Sequence, residues 1–119
     1  MRYLALSLCL LLCALIHAQT ITYDKWENIT TGGSLPQQCK IQHSNNNLDL
    51  VKYKKKYYLA FRTAPTHFAS SKTVMYVVSS TDLKQWQYET EVHVGYDIRE
   101  PRFAVYNDTL NLYFFEGGK

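Results

Sequence analysis

Two segments of the chain follow the same order of residue types, and this repetition limits the folds that the chain can adopt. Residues 48–63 align with residues 101–116 when they are shifted forward by 53 positions, so that Tyr53 meets Tyr106. Each segment contains an apolar run, a short polar turn and a longer aromatic run. Two such runs around a short turn predict a β-hairpin. We therefore expect the same hairpin to occur twice.

Two further strands are expected between the hairpins. Residues 73–80 read TVMYVVSS, a β-branched run without a helical period. After residue 18, no segment shows an apolar period of 3.6 residues over a useful length, so we predict an all-β chain. Residues 86–94 alternate as a half-buried strand does, and one face would carry Trp86, Tyr88, Thr90, Val92 and Val94.

The expected strands form a repeating unit of four-stranded antiparallel meanders. Such a unit, of about 45–50 residues, is typical of a β-propeller blade. Blade one would cover about residues 48–94, and the start of blade two would cover about residues 101–119. A propeller needs at least ~4 blades to close. We therefore expect a fragment of a longer propeller, and the alternative is a chain that assembles with other chains.

Three consecutive lysines, at positions 54–56, occupy the expected tip of the first hairpin. They would form a three-residue turn or, together with Lys52, a basic patch for a polyanion such as heparin or a nucleic acid. The second copy has Asn107-Asp108-Thr109 at its tip, so the turn repeats and the charge does not. A net charge of +3 is also too small to indicate nucleic acid or membrane as the main partner. We predict a hairpin tip.

The first 18 residues have the layout of a secretory signal peptide, which would be helical. Arg2 precedes an apolar run at positions 4–16, and the small residue Ala18 follows. The run is shorter than the ~20 residues that span a bilayer, and a retained anchor is the alternative. We therefore expect a secreted, extracellular protein with a signal peptide at 1–18, a polar segment at 19–47 and a partial propeller at 48–119.

In a secreted protein, one cysteine would be exposed to disulfide formation and two asparagines to N-glycosylation. Cys9 and Cys13 would leave with the signal peptide, so Cys39 would need a disulfide partner outside this segment of chain. Asn28 and Asn107 each begin an Asn-x-Thr sequon and are candidate N-glycosylation sites.

Residues 79–86, SSTDLKQW, resemble the Asp-box turn of sialidases, with Ser80, Asp82 and Trp86 in place of its serine, aspartate and aromatic residue. This copy is shorter and is also similar to the equivalent turn of five-bladed glycosidases that act on arabinans and fructans. The ordered set NNNLDLVKYKKKYYLAFRTAPTH, VMYVVSSTDLKQW and DIREPRF resembles the first blade and a half of secreted sialidase-like propellers over about residues 44–118. Asp82 would accept hydrogen bonds from turn amides and Trp86 would pack between sheets, both structural roles.

The resemblance implies a site where the innermost strand of each blade begins. Related glycosidases place a carboxylate at both points, so Asp49 and Glu100 are the candidate catalytic pair, one as acid and the other as base or nucleophile. Glu100 stands where the family usually has aspartate. The alternative is that both carboxylates pair with arginines and only hold strands.

Arginines near the same points are candidate substrate-binding residues. Arg62 in AFRTAP resembles the arginine of the sialidase Phe-Arg-Ile-Pro signature, which binds the sugar carboxylate through parallel hydrogen bonds. The alternative for Arg62 is a salt bridge at the rim. Arg99 and Arg102 are similar candidates, and Asp97 would face the central funnel. No metal site or cofactor is expected, because the later histidines lack ligand spacing: His43, His67 and His93.

The resemblance therefore implies a secreted, glycosylated protein that binds carbohydrate, an acidic glycan in particular, and hydrolyses glycosidic bonds in its complete form. The fragment alone would be inactive, because the family's tyrosine nucleophile and its assisting glutamate come from later blades. The alternative is a non-catalytic extracellular or matrix glycoprotein that uses the propeller as a binding scaffold.

Overall fold

The computed structural model describes Asn28, Thr30 and residues 33–118. The strands in this part are β1 (Ser44–Tyr53), β2 (Lys56–Ala64), β3 (Val74–Ser80), β4 (Gln87–Val92), β5 (Ile98–Tyr106) and β6 (Thr109–Glu116). Strands β1 to β4 form a four-stranded antiparallel sheet in sequence order, and β5 and β6 form a second, two-stranded sheet. The described residues contain no helix, so the prediction of an all-β chain with a four-stranded meander is confirmed.

The expected signal peptide at 1–18 lies outside the described residues. Within residues 33–118, the structure contains no helical segment with the length and hydropathy needed to cross a bilayer.

The large sheet is held together by its two central strands. β2 and β3 are buried over most of their length, whereas the edge strands β1 and β4 contain only partly buried and exposed positions. Side chains of successive residues point to opposite faces of a sheet. The first face carries a core of Leu59, Phe61, Tyr76 and Val78, together with Trp86.

The described part of the polar N-terminal segment before β1, residues 33–43, covers this first face. Leu35 and Cys39 pack against the core, and the Lys40 amide donates a hydrogen bond of 3.0 Å to the Tyr76 hydroxyl. Burial, with a smaller effect of nearby Glu91, raises the pKa of the Cys39 thiol. Residues 33–43 are therefore part of the fold and not a separate linker.

The second face of the large sheet is turned toward the small sheet. Tyr58 and Val77 on this face line a shared cavity with Phe103 of β5 and with Leu110 and Leu112 of β6. Strand β5 runs closest to β1 and β2. The two sheets thus pack face against face, with the first strand of each lying side by side.

The alternation expected for residues 86–94 is wrong beyond Tyr88. A β-bulge lies between β3 and β4, because Val78 pairs with Tyr88 while the preceding Val77 pairs with Thr90. The extra residue, Glu89, reverses the faces of the following positions. Thr90 therefore lies on the second face, and it does not share a face with Tyr88.

The two hairpins match in backbone conformation as well as in sequence. Each first strand has a bulge near its start, and Asn47 and Glu100, the residues in these bulges, both have positive φ, at 46° and 51°. At the tips, Lys54 and Asn107 also have positive φ. Each pair is separated by the same 53 positions that relate the sequences. The repeat is therefore structural.

The tips themselves are shorter than predicted. Tyr53 pairs with Lys56 and Tyr106 pairs with Thr109, so each turn contains two residues and not three. In the second turn, Asn107 and Asp108 both have positive φ, as a type I′ turn requires.

The lysines at the first tip interact with neighbouring side chains. Lys54 Nζ lies 3.1 Å from Asp108 Oδ2, and Lys56 Nζ lies 3.5 Å from Glu89 Oε1. Lys52 Nζ lies 5.2 Å from the centroid of the Tyr57 ring, in a cation–π contact. The stretch forms a hairpin tip, as predicted, and these contacts leave less of its charge available for a polyanion.

Candidate functional site

The candidate site lies where β1 and β5 begin and where the loops after β2 and β4 return to the same end of the sheets. We call this group the strand-start cluster, and its polar members come from β1, β2, the residue before β5 and the start of β5: Asn46, Asn47, Arg62, Asp97, Arg99 and Glu100. The bulges of the two hairpins bring these residues together, because each bulge re-aims side chains at the start of its strand.

Arg62 and Asp97 form a fully buried ion pair at the base of the cluster. Both side chains have 0 % exposure, and Arg62 Nη2 lies 2.6 Å from Asp97 Oδ1. The guanidinium also donates hydrogen bonds to Asn46 Oδ1 at 3.1 Å and to the Phe68 carbonyl at 3.0 Å. The rim salt bridge considered for Arg62 is therefore wrong, because this arginine lies inside β2 without contact with solvent.

The Asp97 carboxylate is held in its charged form. Burial alone would raise its pKa, but hydrogen bonds from Thr73, Arg62 and Arg99 outweigh burial and lower the pKa of Asp97 to about 2. Thr73 Oγ1 donates to Oδ1 at 2.7 Å, and Arg99 Nε donates to Oδ2. Asp97 therefore joins the loop before β3, the interior of β2 and the start of β5.

Arg99 is the arginine of the cluster that reaches solvent. Its side chain is 30 % exposed, one edge is held by Asp97, and its Nη2 donates to the His67 carbonyl at 3.3 Å. His67 is exposed and contacts Asn46 Nδ2 through its Nδ1 at 2.9 Å. Phe68, next in sequence, is 78 % exposed. A fixed cation thus contacts the residue that precedes an exposed aromatic ring.

Glu100 is exposed and has a backbone conformation that is uncommon for its residue type. A glutamate with a φ of 51° lies in the left-handed region, and the following residue, Pro101, is buried. Its Oε1 accepts a hydrogen bond of 2.5 Å from Asn47 Nδ2, and its Oε2 lies 3.3 Å from Arg102 Nη2. Backbone strain of this kind concentrates at functional sites.

Asp49 lies away from the start of its strand. β1 begins at Ser44, so the expectation that Asp49 opens the strand is wrong. Asp49 Oδ2 accepts a hydrogen bond of 2.7 Å from the backbone amide of Phe103. The carboxylate therefore links β1 to β5 directly, which is a structural contact between the two sheets.

The turn that resembles an Asp box has a complete set of hydrogen bonds. Asp82 Oδ1 accepts from the amides of Lys84 at 2.8 Å and Gln85 at 2.9 Å, as expected of an aspartate at this position. These two bonds, with one from Ser80 Oγ, lower the pKa of Asp82. Ser80 Oγ in turn accepts from the amides of Asp82 and Leu83.

Trp86 is buried, but not in the predicted place. It belongs to the core on the first face of the large sheet, which in the described part of the chain is covered by the N-terminal segment and not by the other sheet. The expectation that Trp86 packs between two sheets is therefore wrong for residues 33–118.

The remaining predicted sites are distributed over the surface and the core. Asn28 and Asn107 are exposed, and Asn107 lies in the turn between β5 and β6. Cys39 is buried with 7 % exposure, so a disulfide with an outside partner would require the N-terminal segment to open. Among the described residues, no group of three or more histidine, cysteine or acidic side chains could hold a metal ion.

Sequence reasoning missed three members of the network. Thr73 and Asn46 bind the buried ion pair, and Asn47 binds Glu100. The repeat contained a signal for one of them, because Asn47 aligns with Glu100 under the same shift of 53 positions. No local pattern marks Thr73, whose partner is 24 residues away.

Comparisons with known proteins found no matching family, no matching curated protein and no matching solved structure.

Proposed function

We propose that this chain is a secreted, glycan-directed protein of sialidase-like propeller architecture, and that the strand-start cluster binds an acidic sugar. The observation that carries this proposal is the position of Arg99. Its guanidinium is fixed by the buried Asp97, partly exposed, and bonded to the carbonyl of His67, the residue before the exposed Phe68; the exposed Glu100 follows Arg99 in sequence.

The chemistry of the cluster suits a saccharide that carries a carboxylate. An arginine recognises a carboxylate through directed, charge-assisted hydrogen bonds. Ligand sites usually combine a few fixed polar groups with apolar or aromatic surface. Arg99 and Phe68 would supply these two elements, while Asn47 and Glu100 would accept or donate hydrogen bonds to hydroxyl groups.

The propeller part of the proposal is supported by how the two hairpins lie. Contacts join Asn47 to Glu100 at the bulges and the Tyr53 hydroxyl to the Asp108 carbonyl at the tips, the latter at 2.5 Å. The two hairpins therefore contact each other near their bulges and at their tips, with both strand starts at one end. A rotation from one sheet to the next, repeated around an axis, would build a propeller with the cluster near its centre.

A second candidate function is a scaffold that binds glycans or proteins without hydrolysis. The Asp49 carboxylate is already used by the Phe103 amide, and Arg62 and Asp97 are buried in their own network. Of the proposed catalytic pair, Glu100 remains exposed, but Asn47 and Arg102 contact it. These contacts favour binding over catalysis for the residues of this chain.

Sugar binding is tested by NMR titration of the chain with 3′-sialyllactose and with lactose, which lacks the acidic sugar. We expect shifts at Arg99 and Phe68 with the acidic ligand only. Arg99→Met should abolish them, whereas the control Lys84→Met, in the turn before β4, should not. Equal shifts with lactose, or full binding by Arg99→Met, would contradict the proposal.

Hydrolysis is tested separately with fluorogenic sialosides and arabinosides. Turnover that disappears in both Glu100→Gln and Asp49→Asn would show that the chain is a hydrolase and would exclude the scaffold function. Binding without turnover would support the scaffold.

A further inference from the structure

His67 lies in the loop between β2 and β3, where its backbone and its ring are both held by the strand-start cluster. Its carbonyl accepts a hydrogen bond of 3.3 Å from Arg99 Nη2, and the next carbonyl, of Phe68, accepts one of 3.0 Å from Arg62 Nη2. The rings of His67 and Phe68 meet nearly edge to face, with centroids 6.3 Å apart. The imidazole Nδ1 lies 2.9 Å from Asn46 Nδ2. An exposed histidine is therefore presented in a defined position.

The hydrogen bonds of Asn46 determine which ring nitrogen of His67 carries the proton. A guanidinium can only donate, so Asn46 Oδ1, at 3.1 Å from Arg62 Nη1, must be the acceptor. The amide is thereby oriented, and its NH₂ group faces His67 Nδ1. Because that group donates, Nδ1 must accept and carries no proton. A neutral imidazole of this kind has its proton on Nε2.

The Nε2–H group and part of the Arg99 guanidinium are both available to a ligand. No acceptor in the described part of the chain is bonded to His67 Nε2, and the side chain is exposed. At Arg99, Asp97 and the His67 carbonyl engage two of the five N–H groups that a guanidinium has. The cluster therefore offers a charged set of donors at Arg99 and an uncharged donor at His67.

We propose that His67 is a further ligand-binding residue of the strand-start cluster. Its Nε2–H group would donate to an uncharged oxygen of the sugar, a hydroxyl or an acyl carbonyl, while Arg99 binds the carboxylate. The inference rests on the acidic-sugar binding proposed above. A donor fixed in this way favours ligands that present an acceptor to it, because a polar group left without a partner in a site lowers affinity. His67 would thus select sugar acids over simple carboxylates.

Two substitutions separate ligand binding from a purely structural role. The amide of His67→Gln can place an N–H donor near the position of Nε2, but it leaves Asn46 without its acceptor at Nδ1. His67→Asn can place an acceptor oxygen near the position of Nδ1, but it has no donor at Nε2. The backbone carbonyl that binds Arg99 is kept in both variants.

Affinity for 3′-sialyllactose is measured by NMR titration at about pH 8, the upper end of the range in which histidines usually titrate. His67→Asn should weaken binding about tenfold, the effect of one lost hydrogen bond, and His67→Gln should stay within about threefold of the unchanged chain. The matched control is His43→Asn, at an exposed histidine before β1, which should bind as the unchanged chain does.

The position of the proton can be read without any ligand. In ¹⁵N-labelled chain at about pH 8, the ring nitrogen shifts of His67 should show a protonated Nε2 and an unprotonated Nδ1. Addition of 3′-sialyllactose should then move the Nε2 resonance. A protonated Nδ1 in the neutral ring would overturn the inference whether or not the sugar binds.

The outcomes distinguish this inference from the proposed function. Binding that is lost in Arg99→Met but unchanged in both His67 variants would overturn the role of His67 and leave the acidic-sugar site intact. Loss in His67→Gln with normal binding by His67→Asn would show that the ring acts only through Asn46, which also overturns it. Absence of binding by the unchanged chain would remove the proposed function and this inference together.

Discussion

At the scale of single residues, Asp97 connects parts of the molecule that are far apart in sequence. Its carboxylate accepts hydrogen bonds from Arg62 in the interior of β2 and from Arg99 at the start of β5. A buried charge that loses its partner keeps the cost of desolvation without the attraction that offsets it. The pair is therefore more sensitive to the loss of one member than surface pairs are.

Asp97→Asn should lower the free energy of unfolding by about 3–5 kcal/mol, because it leaves the buried Arg62 charge without a counter-ion. Urea denaturation at neutral pH measures this change. The matched control is Asp108→Asn, which removes an exposed partner of Lys54 and should leave stability close to that of the unchanged chain. Similar losses for both variants would contradict the argument.

Acid should destabilise the chain through the same residue. The pKa of Asp97 is about 2 in the folded state, and that of an unfolded aspartate is ~3.9, so the unfolded state binds the proton first as pH falls. The stabilisation of about 2–3 kcal/mol is therefore complete above about pH 5 and is lost progressively toward pH 2. Urea midpoints between pH 6 and pH 2.5 should show this loss, with a flatter profile for Asp97→Asn.

At the same scale, the sequence indicated which residues lie in the cluster better than it indicated the role of each residue. Arg99 and Glu100 do reach the surface at the strand starts, whereas Arg62 and Asp97, also predicted to bind substrate, are buried. Local sequence does not report burial when polar residues partner each other across the fold. Thr73 illustrates this, since nothing near it indicates a carboxylate partner.

At the scale of structural elements, the turn between β3 and β4 depends on Ser80. This side chain has 2 % exposure, and its hydroxyl accepts two backbone hydrogen bonds and donates one to Asp82. Ser80→Ala should cost about 1–3 kcal/mol, because two amides lose their acceptor. Thermal or urea denaturation measures it. Thr81→Ala, at an exposed neighbouring position, should change stability by less than about 0.5 kcal/mol.

The bulge at the start of β1 gives a second prediction at this scale. Asn47 has a φ of 46°, and asparagine and glycine tolerate the left-handed region better than alanine. Asn47→Ala and Asn47→Gly both lose the hydrogen bond to Glu100. Because of the backbone conformation, the alanine variant should be less stable than the glycine variant by about 1 kcal/mol. Equal urea midpoints for the two would show that the bulge relaxes.

Strand number and order were predictable, but turn lengths and bulges were not. Apolar alternation defines strands well, and it placed four strands between residues 48 and 94. A bulge adds one residue without changing composition, so the extra residue at Glu89 left no local signal. The two-residue turn of the first hairpin was hidden because Lys56, the first residue of β2, continues the lysine run of the turn.

At the scale of the whole molecule, the small sheet should open more readily than the large one. It has two strands, and Asp49 is one of the few side chains that attach it to β1. A hydrogen bond to a charged group contributes about 1.5–3 kcal/mol. Asp49→Ala should therefore speed amide exchange in β5 and β6 by roughly ten- to a hundredfold, with β2 and β3 unaffected.

Exchange measured by mass spectrometry separates the two sheets in this experiment. Asp49→Asn keeps an acceptor oxygen and should restore part of the protection. Faster exchange in β2 and β3 as well would show that the sheets unfold as one unit.

Only the repeat in the sequence indicated that two similar sheets would pack against each other. Alignment of the two hairpins predicted two equivalent units, and the structure places them side by side with matching bulges. Which faces meet was not predictable, because both faces of β2 and β3 are apolar. The expectation that Trp86 packs between two sheets was wrong for this reason.

Cys39, in the N-terminal segment, is buried against the large sheet and gives the molecule an internal reporter of its own opening. A thiol with a raised pKa and little accessible surface reacts slowly with aromatic disulfide reagents. With Cys9 and Cys13 replaced by serine, every labelling event records a moment when the segment lifts from the sheet. The labelling rate, followed by absorbance, would then measure how often the segment opens, without a probe attached to the chain beforehand.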